Sequence, residues 1–366
     1  MNYDTLGQVV EPLLTWFGKK RRALPWRVDT DPYHVWVSEI MLQQTRIEAV
    51  IPYYERFLQV LPDVASLADC EEEKLLKLWE GLGYYSRVRN MKKAALVVME
   101  EYQGEFPDTY EKLVKLPGIG TYTAGAIASI SFGRRAAAVD GNVLRVITRL
   151  LADSHNIMDE KYRKEVKSKL EAIYPVGEEA AMLTEGLMEL GEVVCLPSGM
   201  PQCEVCPLED LCQARKKNTM LDYPVKQVEK KVKEEKQTLF YILDEKGRLA
   251  LLKRPETGLL AGMWELVSAP GHLNKKEVEK YLQHLGLSVI SMEAMSSYKH
   301  VFSHIIWQNQ TYLVRCHNLR KKYIPSTKTS EGREIIYWVT KEQLQHEIAL
   351  PTAFKKCMAE GAKRGK

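Results

Sequence analysis

No uncharged stretch of this 366-residue chain is long enough to cross a membrane. The opening segment "MNYDTLGQVVEPLLTWFGKK" lacks the basic start, apolar core and small-residue cleavage site of a secretion signal. With neither device present, cytosolic residence and no membrane partner are expected. Strong charge of one sign is missing too: 52 Lys and Arg against 48 Asp and Glu leave +4, which permits a polyanionic partner without demanding one. Low-complexity tracts and internal repeats are absent. Cysteine is scarce, seven in all, yet Cys195, Cys203, Cys206 and Cys212 fall in the eighteen residues "CLPSGMPQCEVCPLEDLC". In a reducing compartment such a cluster binds metal more readily than it forms disulfides, whereas Cys70, Cys316 and Cys357 are scattered and read as ordinary thiols.

What is present suits a soluble chain of two domains, with 45% hydrophobic and 27% charged residues. From residue 5 to about 194 the apolar positions recur at helical spacing, as in "TLGQVVEPLLTWF", "LLKLWEGLGYYSRVRNMKKAALVVMEEY" and "NVLRVITRLLA", so an all-α domain is expected over residues 1–222. Residues 215–236 hold eight Lys or Arg against four Asp or Glu and little core-forming pattern. That run sets a linker at 223–236. Beyond it, "QTLFYILDEKGRLALLKRP" reads as two strands about a turn at Glu245 to Gly247, and "HIIWQNQTYLVRC" and "EIIYWVT" as further strands. With "KKEVEKYLQHLG" and "KEQLQHEIALPTAFKKCMAEGAK" helical, residues 237–366 are expected to form an α+β domain.

Three motifs carry chemistry. "LPGIGTYTAGAIASISFG" turns at Gly118 and Gly120 and runs into a small-residue helix, whose first amides suit a phosphate; a tight turn between helices is the plain alternative. "VDGNVLR" sets Asp140 directly before a helix, where it serves as an N-cap, as a functional carboxylate, or as both. "WVSEIMLQQT" buries Glu39 in an apolar helix, with Gln43 one turn on and Gln44 beside it; such surroundings favour the protonated form, as a general acid requires. Two carboxyls with a phosphate-binding turn between them suggest a cleft. The cysteine quartet, taken by itself, suits one zinc ion or an iron-sulfur cluster.

In order and spacing, "WVSEIMLQQT", "GLGYYSRVRN", "LPGIGTYTAGAIA", "VDGNVLR" and the four cysteines resemble the MutY adenine glycosylases, helix-hairpin-helix DNA glycosylases with an iron-sulfur loop. The likeness is close over residues 1 to about 222 and weaker over 237–360. It implies an N-terminal all-α helix-hairpin-helix domain, one 4Fe-4S cluster held by the four thiolates at 195–212, and a C-terminal α+β Nudix-like domain for lesion recognition. The family usually has six residues between the first two cysteines; here there are seven, "LPSGMPQ".

The implied activity is excision of adenine mispaired with 8-oxoguanine, or with guanine, from double-stranded DNA by a monomer in the bacterial cytosol or nucleoid. On that resemblance Glu39 protonates the purine, Asp140 stabilises the sugar cation, and Tyr122 and Asn142 orient Glu39 and the water. Arg22, Glu185 and Trp26 hold the extruded adenine, Gln44 and Tyr84 form the wedge beside the lesion, and Gly118 and Gly120 meet the backbone. Phe302, Ser303 and His304 contact 8-oxoguanine. Related bifunctional enzymes carry a lysine at the place of Tyr122 as Schiff-base nucleophile, so no lyase activity is expected. The second domain lacks the run of metal-binding glutamates of Nudix hydrolases, which points to recognition rather than hydrolysis.

Overall fold

The computed structural model describes residues 3–227, 232–318 and 336–365. Its contacts divide the chain into one unit of Met1–Cys70 with Ser86–Glu229, and a second of Glu71–Tyr85 with Lys230–Lys366. The first part of the chain is helical throughout: α1 (Val10–Lys20), α2 (Pro32–Leu42), α3 (Ile47–Val60), α4 (Val64–Asp69), α5 (Glu72–Leu78), α6 (Ser86–Tyr102), α7 (Tyr110–Leu113), α8 (Thr121–Ile130), α9 (Gly141–Leu151), α10 (Glu160–Glu171), α11 (Glu178–Val193) and α12 (Gln213–Lys216). Of these, α5 belongs with the second unit.

Where each helix lies follows from its apolar face. α2 is apolar on every side and therefore central, with Val35, Trp36, Val37, Ile40 and Met41 buried and α3 and α8 packed against it. α9 and α11 share a core in which Leu144 and Ile147 meet Leu183, Leu187 and Leu190, joined by Leu13 of α1 and Val166 of α10. The helical pattern from residue 75 to 102 is interrupted: α5 ends at Leu78, α6 begins at Ser86, and the turn between them holds Tyr84 at φ 47°.

The second unit is built on a mixed sheet of β1 (Lys233–Leu243), β2 (Leu249–Lys253), β3 (Trp264–Pro270), β4 (Leu287–Val301), β5 (Ile305–Asn318) and β6 (Tyr337–Val339), in the spatial order β4-β5-β1-β3-β2-β6. β1 and β5 run parallel, with Leu239 opposite Thr311, and the remaining pairs are antiparallel. Beside α5, the described helices of this unit are α13 (Lys275–His284), α14 (Lys341–His346) and α15 (Lys355–Arg364). Alternation along β1 sorts the core: Leu239 and Tyr241 face Phe354 and Cys357 on one side, and Phe240 and Ile242 face Val278 and Leu282 on the other.

Several expectations need correction. β1 begins at Lys233, so residues 233–236 pair with β5 instead of belonging to the linker. β3 and β4 were not anticipated, because β4 is a half-exposed edge strand whose register shifts at Val289/Ser291 and Met295/Tyr298 erase the period of two. The helical pattern at 341–363 is cut by the turn at Pro351 into α14 and α15. Residues 228–231 of the expected linker, and the start of the "EIIYWVT" strand, lie outside the described residues. No helix among the described residues is long and apolar enough to cross a membrane.

Candidate active site

α2 delivers Glu39. The Asp31 side chain starts the helix by accepting from the Tyr33 amide at 2.8 Å, with Pro32 at the first helical position. Glu39 is 7% exposed, and burial pushes its carboxyl up to about 7. A hydrogen bond from the Tyr122 phenol and the charge of Arg27 oppose that rise, while the charge of Asp140 adds to it.

α9 delivers Asp140, and the two readings of this residue coexist. One carboxylate oxygen caps the helix by accepting from the Val143 amide at 2.7 Å, and the other accepts from Asn142 Nδ2 at 2.9 Å. Asn142 is itself held, its Oδ1 accepting from Arg145 Nη2 at 2.7 Å. Burial raises the Asp140 pKa as well, but the two amide donors and the Arg145 guanidinium work against it. The pair is thus supported unequally: Asp140 has several donors and the charge of Arg145, Glu39 a single phenol and the charge of Arg27, set against the charges of Asp140 and Glu185. A single proton shared between them belongs on Glu39.

Tyr122, on α8, completes the group, with its hydroxyl 3.6 Å from Met188 Sδ of α11 as well as bonded to Glu39. These side chains line one cavity of about 700 Å³. Of the residues singled out in the sequence, Arg22, Trp26, Glu39, Gln44, Tyr122, Asp140, Asn142 and Glu185 all meet there. Trp26 forms part of the wall and packs edge-on against Tyr54 at 5.5 Å. Gln44 is exposed and takes φ 60° just past the end of α2.

Among the lining residues the sequence did not single out are Arg27 and Glu189, which pair with those it did. Arg27 Nε bonds Glu185 at 2.9 Å and its Nη2 bonds Glu189 at 3.0 Å, while Arg22 Nε reaches Glu189 at 2.5 Å. Burial opposes the charge of Glu189, yet the Arg22 bond and the Arg27 charge outweigh it and hold its carboxyl below the usual range. The spacing of Glu185 and Glu189, one helical turn apart on α11, was the available signal. The partners, more than 150 residues earlier in the chain, leave no local pattern.

The glycine hairpin lies elsewhere in the same unit. Gly118 has φ 75°, and a Cβ there would sit 2.6 Å from Asn90 Cβ, so both conformation and space require glycine. Gly120 is the N-cap of α8, where no side chain caps the helix.

The cysteine loop is fastened to α9. Arg145 Nε donates to the Cys195 carbonyl at 2.7 Å, and Arg149 Nη1 donates to Leu196 O at 2.9 Å and lies 3.3 Å from Cys195 Sγ. Burial pushes the Cys206 thiol up to about 12, and the charges of Cys195, Cys212 and Cys203 add to the rise, so the four sulfurs address one region. Among the described residues, no three His, Cys, Asp or Glu side chains form a group fit for a single metal ion.

In the second unit, Phe302, Ser303 and His304 form the turn between β4 and β5, closed by the Phe302 amide donating to Ile305 O at 2.8 Å. The Phe302 ring packs edge-on against Trp307 at 4.8 Å, and Ser303 and His304 are exposed. Tyr84, from the 71–85 segment of this unit, has its hydroxyl 2.9 Å from Ser303 Oγ.

Residues 37–173 match the HhH-GPD superfamily of base excision DNA repair proteins, and residues 238–360 match the NUDIX domain. An adenine DNA glycosylase of Buchnera aphidicola subsp. Acyrthosiphon pisum (strain APS) is 34% identical over 348 residues, covering 94% of this chain and 95% of the relative. The Homo sapiens adenine DNA glycosylase is 33% identical over 408 residues, covering 94% of this chain and 72% of the human one. Among solved structures, a thermostable thymine-DNA glycosylase overlays 58% of this chain and 97% of its own length with a TM-score of 0.53 at 29% identity. With homologues of that name over nearly its whole length and a base-excision-repair domain around the Glu39–Asp140 cavity, the chain belongs to the MutY-type adenine DNA glycosylases, hydrolases of N-glycosyl bonds.

Proposed function

We propose that this enzyme hydrolyses the glycosidic bond of adenine paired with 8-oxoguanine, or with guanine, in duplex DNA and leaves an abasic site without cutting the strand. What carries the reading is the pair of carboxyls in one cavity, Glu39 raised to about 7 and Asp140 better supplied with donors. The buried bond is out of reach in a duplex, so the nucleotide must leave the stack at a cost of a few kcal/mol. A cavity of about 700 Å³ is of the size that takes such a ligand. Arg22, Glu185 and Trp26 would hold the base, with Gln44 and Tyr84 filling the space it vacates and the amides at Gly118 and Gly120 gripping a phosphate.

Glu39 then gives its proton to adenine N7, and the bond from N9 to the sugar breaks with its electron pair leaving on the base. Asp140, still ionised, faces the sugar cation, in the manner of paired carboxylates in glycosidases. Water, oriented by Asn142 and Tyr122, adds to the sugar cation, and the proton it releases restores the Glu39 carboxyl. A phenol at 122 cannot form an imine, so strand cleavage through a Schiff base has no nucleophile at that position.

Glycosylases of this type usually carry a 4Fe-4S cluster. The four thiols here suit one: they are soft donors, burial and the neighbouring sulfurs raise Cys203, Cys206 and Cys212, and Cys195 Sγ lies 3.3 Å from Arg149 Nη1. Bound there, the cluster would stabilise the thiolates and tie residues 195–212 to α9. We assign excision to residues 1–222 and lesion reading to residues 237–366 through Phe302, Ser303 and His304, in a monomer of the bacterial cytosol. The test is incubation with duplexes carrying adenine opposite 8-oxoguanine, guanine or thymine. Alkali-revealed abasic sites with the first two, and none without alkali, are expected; equal release opposite thymine, or nicking without alkali, would refute the assignment.

A further inference from the structure

The exposed Gln44 sits in a backbone conformation that few side chains adopt, and one charged side chain holds the segment that leads into it. Arg87, at the second position of α6, donates from Nη1 to the carbonyls of Ile40 at 2.6 Å, Met41 at 3.3 Å and Gln43 at 2.8 Å. These lie in the last turn of α2 and the residue after it, where carbonyls have no partner further along the helix. A guanidinium there also meets the negative end of the helix dipole. The next residue, Gln44, then turns out at φ 60°, a left-handed conformation that a side chain adopts only when its surroundings impose it.

Local sequence supplies only a weak device, the Thr45 hydroxyl donating to the Gln43 carbonyl at 3.4 Å, longer than the 2.8 Å bond from Arg87. No glycine or asparagine stands at 44, and the backbone's own contribution across the turn is the bond from Thr45 N to Leu42 O at 3.2 Å. Gln43 and Gln44 both line the cavity that holds Glu39, so the path of the chain here fixes one rim of the site. Arg87 lies 40 residues or more further along the chain, beyond reach of any helix-capping pattern.

We infer that Arg87 is a positioning residue: it fixes the end of α2 so that Gln44 projects into the place of the extruded base. This rests on the reading of Gln44 as a wedge. Lysine reproduces the role only in part: it keeps charge and donors, but its ammonium ends one bond short of Nη1, the nitrogen that makes all three bonds, on a more flexible stem. Methionine keeps much of the stem and removes the charge.

The experiment compares Arg87→Met, Arg87→Lys, Gln44→Ala and the double variant Arg87→Met with Gln44→Ala in the full-length protein. Base extrusion is read by 2-aminopurine fluorescence in a duplex, and exchange of the amides at 43–46 by mass spectrometry. Extrusion should fall about tenfold in Arg87→Met and in Gln44→Ala, with no further loss in the double variant, because both act through one side chain. Arg87→Lys should fall between, and a folded Arg87→Lys guards against a methionine variant that does not fold. The pH midpoint of base release, which reports Glu39, should stay where it is. Amides 43–46 should exchange at least tenfold faster once the guanidinium is gone. Unaltered exchange, or extrusion losses that simply multiply in the double variant, would overturn the inference. If Gln44→Ala alone leaves extrusion intact, the wedge reading fails, and the exchange data still decide whether Arg87 fixes the turn.

Discussion

At the scale of single residues, the site turns on where one proton sits. The Glu39 carboxyl is raised to about 7 from an ordinary value of 4.5, so the folded protein keeps a proton over that interval which the unfolded chain releases. Its contribution to stability is complete below 4.5 and is lost as pH rises through 7, where the charge must be buried. Glu39→Gln cannot ionise and escapes that loss. The melting temperature of Glu39→Gln relative to wild type should therefore be higher at pH 8 than at pH 5, by the equivalent of on the order of 3 kcal/mol at most. The same variant should lose about 10² to 10⁴ in single-turnover base release, and wild-type release should decline as pH passes 7. A melting difference that is flat with pH would remove the case for a protonated Glu39. This residue was legible in the sequence because its neighbours Val37 and Ile40 are apolar, and Asp140 because it precedes a helix. Arg27 and Glu189 were not legible: a buried ion pair between distant segments answers to three-dimensional proximity, which no local period encodes.

Elements add what single residues cannot, namely the closeness with which they approach. α9 and α11 pack so tightly at Gly191 that an added Cβ would lie 2.7 Å from Asn142 Cβ and 3.2 Å from its Cα. The Gly191 carbonyl also accepts from Arg145 Nη2 at 2.7 Å, the same nitrogen that holds Asn142 Oδ1. Gly191→Ala must therefore push the first turn of α9, and Asp140 with it. A stability loss of about 1 to 3 kcal/mol is expected from overpacking, and, on the role proposed for Asp140, whose displacement by ~1 Å would cost on the order of 10²-fold, a larger proportional loss of base release. Reduced melting temperature with an undiminished rate in the folded fraction would show that the helix contact does not set the geometry of Asp140. Helices were legible as elements because amphipathic or wholly apolar periods persist over ten residues or more, as in α2 and α9. Strand β4 was not, since two register shifts and an exposed face leave neither alternation nor an apolar run.

For the whole molecule, the question is why a sheet domain accompanies a glycosylase. Its helix α13 begins with a capping box in which Glu277 accepts from the Asn274 amide at 2.7 Å. The same unit takes in residues 71–85, where Lys77 Nζ donates to Ile348 O at 2.9 Å and Glu80 accepts from the Leu350 amide at 2.9 Å. Those bonds bring the turn bearing Tyr84 against the turn bearing Ser303, and the two hydroxyls meet at 2.9 Å. 8-Oxoguanine differs from guanine chiefly by an acceptor at C8 and a hydrogen on N7, so telling them apart needs a donor and an acceptor set along that edge. Ser303 and His304 carry both kinds of group, and the Tyr84 hydroxyl fixes which way Ser303 points. Phe302→Ala with Ser303→Ala should cut the preference for adenine opposite 8-oxoguanine over adenine opposite guanine about tenfold, since each polar interaction with the lesion contributes ~0.5 to 1.5 kcal/mol. Tyr84→Phe, which keeps the ring and removes the hydroxyl that meets Ser303, should shift the same ratio in the same direction by a smaller factor. Preference ratios equal to wild type in both variants, measured as single-turnover rates on the two duplexes, would mean that the lesion is read without this turn and that the second domain serves another purpose.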